Sequence, residues 1–411
     1  MRVSKPLLLP LAMALGLALA AGGCKRDAAP TGTQGTESGQ LAPANSPWQQ
    51  AVDGFIVGWF EHNPTQAAVA GKHEFDGQLP DWSPEGLKAN IAWLHSERDK
   101  LVGFADDQLD SVQRFQREYA LAVIDGQLFW LEDSGFPYGN PAFYTGDLSP
   151  SMYLTRPYAP LPQRMAAFVA FQEALPNAIA QMKANFRLPL PAPWIDLGVN
   201  TFGGFAAFYR DDVPKIFAGV KDDALQARFK ASNAAAVKAT QEMADWLKAQ
   251  RPQATQDFAL GAEKFAKMLQ ATERVDIPIA QLKAAGEADL ARNLAALKAA
   301  CAQFAPGQTL QQCMDKDNAD KPEGGAVEGA RAQLAGLKQF LVDKDLVTIP
   351  GPEEAKVDEA PPFQRWNFAY IEIPGPYEKN LPSVYYIAPP DPKWSKAEQA
   401  AYVPGKSVLL F

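Results

Sequence analysis

The sequence predicts a mainly α-helical protein: one large multi-helix body with a small β element near its C-terminus. Three observations predict it. Apolar residues recur at spacings of three and four through most of the chain from Trp48 onward. Helix-start chemistry precedes these runs, as at Ser83-Pro84-Glu85, where an N-cap, a proline at the first helical position and an early acid stand together. Short extended-looking runs, 366–373 and Val384-Tyr385-Tyr386-Ile387, fall between the eleven prolines of residues 350–404.

Composition agrees with a globular body. Of 411 residues 47% are hydrophobic and 21% charged, enough apolar material for a large core. The 39 basic residues against 47 acidic ones leave a net charge of −8, which gives no support for a phosphate-contacting, nucleic-acid-binding face. Three Cys and three His exclude a disulfide-dense scaffold and a His/Cys-rich metal cluster.

The chain opens as an address. Arg2 and Lys5 precede an apolar run over 7–21, too short to span a bilayer but of the length of a secretory h-region. It ends in Ala21-Gly22-Gly23-Cys24, which resembles the lipobox of bacterial lipoproteins with Ala21 in place of the usual Leu. Residues 1–23 are therefore expected to be a lipoprotein signal peptide and Cys24 the lipid attachment site; an ordinary cleaved signal with an incidental Cys is the alternative. Lys25 rather than Asp follows the Cys, pointing to the outer membrane facing the periplasm. Loss of Arg2 and Lys5 would take the charge to −10. Residues 24–47, poor in large apolar groups, are expected to be a disordered tether.

The helical body is expected over 48–411. Leu87, Ile91, Leu94 and Leu101 follow the Ser83-Pro84-Glu85 start, and Leu109, Val112, Phe115, Tyr119 and Val123 continue at spacings of three and four, one stripe of a long amphipathic helix. Residues 165–186, 223–250 and 255–271 read as helices too. The clearest pattern is Leu290, Leu294, Leu297, Cys301 and Phe304, whose steps place all five on one face. The ten prolines of 137–193 mark ordered connectors.

Candidate chemistry is sparse. His73-Glu74 begins like a zinc-peptidase helix, but the fourth position after His73 is Gly77, so the second imidazole is missing and the segment reads as a turn. His62, His73 and His95 lack ligand spacing. Asp211-Asp212 and Asp222-Asp223 precede helical segments and are expected to cap them. Gly203-Gly204 is expected to permit close backbone packing. Cys301 and Cys313 flank the turn Ala305-Pro306-Gly307, so either they form a disulfide in an oxidising compartment or Cys301 is a buried free thiol.

Several segments in order resemble the bacterial family called domain of unknown function 885. They are Gly71-x-His73-x-x-Asp76-Gly77-x-Leu79-x-Asp81-Trp82-Ser83, the stretch from Leu260-Gly261 to Leu269, Pro361-Pro362-Phe363, Ile373-Pro374-Gly375-Pro376-Tyr377, and Tyr385-Tyr386-Ile387-Ala388-Pro389-Pro390. Phe265 stands where relatives commonly have Tyr. The resemblance implies a helical zinc peptidase akin to thimet oligopeptidase and carboxypeptidase Taq. That group's hallmark is His-Glu-x-x-Pro-Gly-His with a downstream acidic ligand, placed after a segment similar to residues 404–411. It therefore implies a chain that is incomplete at its C-terminus, with zinc expected in a full-length relative and no ligand or general base to carry over here.

Two functions follow as expectations. One is the N-terminal portion of a lipid-anchored, zinc-metallopeptidase-like envelope protein, inactive as it stands. The other is a non-catalytic periplasmic lipoprotein that binds peptides or a protein partner. Both leave catalytic and metal residues unassigned, without a cofactor in this chain. Both anchor to the membrane through lipid and bind no nucleic acid. By analogy with peptidases that hold substrate against a strand, Tyr385, Tyr386 and His73 are the candidate substrate-cleft residues.

Overall fold

The structure, a computed structural model, describes residues 46–361, 364–365 and 367–408. The signal peptide, Cys24 and nearly all of the expected tether lie outside the described residues, as do Pro362, Phe363, Trp366 and residues 409–411. The first described element is α1 (Pro47–His62), whose N-cap Ser46 accepts a hydrogen bond from the Gln49 amide. Helix therefore begins at the last residue of the stretch expected to be a tether.

The mainly helical class with a small C-terminal sheet is what the structure has. Helix α2 (Pro84–Val102) starts at the expected Ser83 cap, with Leu87, Leu94 and Leu101 buried. Helix α3 (Ser111–Leu128) departs from expectation. A 3-10 turn at Asp106–Gln108 and a capping box between Asp110 and Gln113 start a new helix with its own phase. Ile124 and Leu128 are buried on α3, while Val112, Phe115 and Tyr119 face solvent, Phe115 at 70% exposure.

The centre of the body is made by α4 (Leu161–Asn185), α5 (Ala192–Asp211) and α6 (Asp223–Gln250). Helix α6 packs along both of the others. Phe168, Phe171 and Leu175 from α4, Phe202 and Tyr209 from α5, and Phe229, Met243 and Leu247 from α6 are buried in one cluster. Each such side chain contributes about 2 kcal/mol of transfer free energy. Three polar side chains inside form a chain of bonds: Gln172 donates to Asn233 at 2.7 Å, Ser232 donates to Gln172 at 2.9 Å, and Asn233 donates to the Tyr209 carbonyl at 2.8 Å, while the buried Tyr209 hydroxyl has no partner among the described residues. Space beside Gly203 and Gly204 is open, against the expected close packing. The close approach is at Gly198 instead, where a Cβ would come within 2.7 Å of Leu247.

After α6 the character changes. Helix α7 (Gly261–Glu273) starts later than expected, because residues 255–260 are not helical and Gly261 adopts a left-handed φ of +78°. Helix α8 (Ile279–Phe304) carries the Leu290 stripe, yet Leu290, Leu294, Leu297 and Phe304 are exposed, Leu290 at 69%. Only Cys301 of that stripe is buried. It is disulfide-bonded to Cys313 of α9 (Leu310–Ala319), with a Cα–Cα distance of 5.7 Å, in a small cluster with Ala305 and Leu310.

Helix α10 (Gly325–Asp343) backs the sheet. Strands β1 (Lys356–Glu359), β2 (Ala369–Glu372) and β3 (Val384–Ile387) lie in the order β1-β3-β2, parallel between β1 and β3 and antiparallel between β2 and β3. Val357 and Ile387 pack on Ala326 and Ala330 of α10. A last helix, α11 (Lys396–Tyr402), is capped by Ser395 and Glu398, and Tyr402 meets Phe368 edge-on. Among the described residues no helix is long and apolar enough to cross a membrane.

Candidate functional site: a sheet edge tied to a buried charge cluster

Arg156 follows the short helix Ser151–Thr155 and is 5% exposed. Its five N–H groups make five hydrogen bonds. Nε and Nη2 donate to Glu372 Oε1 at 3.0 and 2.7 Å, Nη2 to the Ile373 carbonyl at 3.1 Å, and Nη1 to Glu378 Oε2 and the Val69 carbonyl, both at 2.7 Å. One guanidinium thus joins the 69–77 turn to the end of β2 and to the turn that follows it.

His73 lies beside this cluster in the 3-10 turn His73–Phe75, as a turn residue. Its Nδ1 is 3.2 Å from Asp76 Oδ1 and its Nε2 is 3.2 Å from Glu378 Oε1. With carboxylate oxygens at both nitrogens, the ring satisfies both contacts only as a double donor. The imidazole stacks on Tyr158 at 3.9 Å, and the Tyr158 hydroxyl donates to Asp76 Oδ2 at 2.8 Å. Burial first, and then that contact with Asp76, push the Tyr158 phenol well above its ordinary range.

The turn Ile373-Pro374-Gly375-Pro376-Tyr377 lies directly on Ala70. A Cβ at Gly375 would collide with the Ala70 backbone, so only glycine permits the approach. The Tyr377 amide donates to the Ala70 carbonyl at 3.0 Å, the Gly375 amide to Glu378 Oε2 at 2.7 Å, and Lys72 Nζ sits 4.3 Å from the Tyr377 ring centre.

The sheet itself has one informative asymmetry. The Ala388 amide donates to the Phe368 carbonyl at 2.7 Å, so Phe368, Tyr370 and Glu372 direct their backbone groups toward β3. Ala369 and Ile371 direct theirs outward, where among the described residues no strand pairs with β2. Strand β3 is central, with both sides hydrogen-bonded. Alternation places Tyr385 and Tyr386 on opposite faces: Tyr385 packs with the α10 cluster, whereas Tyr386 stacks on Tyr370 at 5.2 Å. Neither tyrosine lies on an open edge, and His73 is linked to β2 through Glu378 and Arg156.

The three histidines are apart in their roles. His62 packs on Trp93 at 4.7 Å, and its burial holds its pKa below the ordinary value. His95 contacts Glu132 at 3.0 Å on the surface. Among the described residues no three His, Cys, Asp or Glu side chains are placed to hold a metal ion. The donor sets present do not fit the zinc that the family resemblance implies, since of the two carboxylates 3.2 Å from His73, Glu378 is held by the Arg156 guanidinium and Asp76 accepts from the Tyr158 hydroxyl. Asp222 caps α6 through the Leu225 amide at 2.9 Å, while Asp211 pairs with Arg210 and Asp212 with Lys215 rather than capping.

The sequence signal for this site was partial. The Gly71–Ser83 and Ile373–Tyr377 motifs bracket it, but Arg156 and Glu372 stand in no motif, and their partners are more than 200 positions away.

The model of the family described as "Bacterial protein of unknown function (DUF885)" matches residues 64–404, a span that holds every residue of the charge cluster and the sheet. The chain belongs to the DUF885 family. Two solved structures share the fold. One is a protein from Shewanella oneidensis provisionally described as a lipoprotein of unknown function, at 23% identity and a TM-score of 0.68, with 87% of this chain and 67% of that one covered. The other is a protein from Colwellia psychrerythraea provisionally described as a lipoprotein, at 12% identity and a TM-score of 0.61, with 84% and 68% covered. No curated protein matches.

Proposed function

We propose that this chain holds an extended peptide against the outer edge of β2, as the substrate-side body of a lipid-anchored, zinc-metallopeptidase-like protein of the bacterial cell envelope. The observation that carries the reading is the orientation of Ala369 and Ile371, whose backbone groups face away from β3 on an edge strand. An extended peptide adds to such an edge through main-chain hydrogen bonds and takes its specificity from alternate side chains. Ile371 on one face and Tyr370 with Glu372 on the other would be its immediate neighbours. Tyr385 and Tyr386 stand one strand behind, and His73 acts by holding the turn that carries Glu378. The Arg156 fork keeps the end of β2 fixed, which lowers the ordering cost of binding.

No bond-breaking step is assigned to the described residues, because they supply no ligand set that fits a metal. The engagement of all three histidines elsewhere favours, as the second reading, a peptide-binding lipoprotein without catalysis. Anchoring would be through diacylated Cys24 at the outer membrane, facing the periplasm, with residues 25–45 as spacer.

Fluorescence anisotropy with a labelled extended peptide tests the binding. Methylation of alternate peptide nitrogens should weaken it by at least about tenfold, because each blocks a ladder hydrogen bond; equal affinity of methylated and unmethylated peptides refutes strand addition. Detergent phase partitioning tests the anchor. Wild type should enter the detergent phase and Cys24→Ser the aqueous phase, and recovery of both in the aqueous phase would remove lipidation.

A further inference from the structure

A cavity of about 470 Å³ opens far along the chain from the sheet, between the 134–139 turn, the 187–194 segment and residues 255–264. None of its lining residues belongs to the charge cluster or to β2. Its volume is in the range of small-molecule sites, roughly 300–1,000 Å³.

The walls are fixed by backbone bonds. The Arg187 amide donates to the Tyr138 carbonyl at 2.8 Å, the Thr255 amide to the Leu190 carbonyl at 3.0 Å, and the Ala192 amide to the Thr255 carbonyl at 2.8 Å. Trp194 is seated on Gly139, where a Cβ would come within 3.3 Å of its ring, and meets Phe136 edge-on at 5.1 Å. Lys267 pairs with Asp133 at 2.7 Å and so pins α7 beside the π-helical turn Phe129–Asp133 that leads into the cavity. Such turns recur at functional sites.

The lining is chemically uneven. Arg187 and Lys264 both border the cavity, and among the described residues neither has a carboxylate within ion-pair distance. Arg187 instead lies 4.0 Å from the Tyr138 ring centre. Lys264 stands in the first turns of α7, where the helix dipole disfavours a cation. Both residues are exposed, and a carboxylate ligand in the cavity would supply the anionic partner that neither cation has among the described residues. Asp257, also in the lining, offers the opposite charge, and Trp194 and Phe258 offer aromatic surface.

We propose that this cavity binds an aromatic zwitterion of amino-acid size, its carboxylate on Arg187 and Lys264, its ammonium on Asp257 and its ring against Trp194 and Phe258. The site is independent of peptide addition at β2.

Isothermal titration calorimetry on the whole chain tests it with L-phenylalanine, L-phenylalanine amide and phenylacetate. L-Phenylalanine should bind saturably, and the amide and phenylacetate should each bind at least about tenfold more weakly, since each lacks one charged partner. Arg187→Ala and Lys264→Ala, both at exposed positions, should each weaken L-phenylalanine by a similar factor, and Asp257→Asn should abolish its advantage over phenylacetate. Circular dichroism confirms that each variant is folded. Absence of saturable binding at millimolar L-phenylalanine overturns the proposal, as does unchanged affinity in Arg187→Ala and Lys264→Ala or equal affinity for the three compounds.

Discussion

Arg156 Nη1 and Glu378 Oε2 are 2.7 Å apart although 222 positions separate them, and the two side chains are only 5% and 4% exposed. A buried ion pair adds little net stability over a well-packed apolar pair, but removing one partner strands the other charge in a low dielectric. Here a third group, Glu372, shares the same guanidinium. The cluster is consequently a joint that tolerates no single truncation.

Arg156→Met is expected to destabilise the fold by about 3–5 kcal/mol, because two carboxylates lose their cation. Arg156→Lys should recover only part of that, since a single ammonium cannot reproduce five forked donors. Urea unfolding measures both. A loss below about 1 kcal/mol for Arg156→Met would mean that the pair is solvated and easily replaced.

His73→Ala should leave the helical core intact while freeing the 71–77 turn from the 375–378 turn. Hydrogen exchange followed by mass spectrometry should show faster exchange confined to those two segments. Plasma mass spectrometry of residues 24–411 should find no stoichiometric zinc, and a mixed peptide library should remain uncut. One tightly held zinc per chain, lost together with activity in His73→Ala, would promote His73 from turn residue to ligand.

Burial pushes the Asp147 carboxyl up to about 6. A folded-state pKa above the unfolded value near 4 means that the folded chain holds the proton more tightly. That stabilising contribution is fully present below about pH 4 and is lost as the pH climbs through 6, a swing of at most about 3 kcal/mol. Asp147→Asn should therefore raise stability at pH 7, have little effect at pH 4, and flatten the slope between. Thermal melts across that pH range would show a parallel shift at all pH values if the carboxyl were not involved.

Reduction of the Cys301–Cys313 disulfide, which closes a short loop of 12 positions, should cost about 3 kcal/mol of local stability by releasing that loop in the unfolded chain. The loss should fall on α8 and α9, whose shared cluster is small. Non-reduced peptide mapping checks the linkage, and melts with and without reductant check the magnitude. Two free thiols in exported protein would refute the disulfide.

Local chemistry made much of the fold legible. Asp222 and the run that follows it place α6 at Asp223–Gln250, and Ser83-Pro84-Glu85 places the start of α2, because caps act within one turn. Periodicity shows that 290–304 and 112–123 are helical, but it cannot say whether another element covers the apolar face. Leu290 and Phe115 are exposed for that reason. Gly203-Gly204 misled in the same way, since composition alone does not place a neighbour. The charge cluster was the least legible feature. An arginine before a proline, at Arg156-Pro157, has no local property that points to a glutamate beyond residue 370.

The separation between Arg156 and Glu378 also sets an order in time. A chain made from its N-terminus exposes Arg156 long before either of its carboxylate partners exists. The largest core cluster draws, among the described residues, on positions 48–254, so that body can condense first. Its 69–77 turn and Arg156 then wait, solvated, until the 372–378 segment arrives and docks as a late closing step. Contacts of such long sequence separation are slow to find. During that interval the outward edge of β2 has no fixed wall behind it, so this edge matures last, and variants that slow the docking would lengthen exposure of an unsupported strand to aggregation.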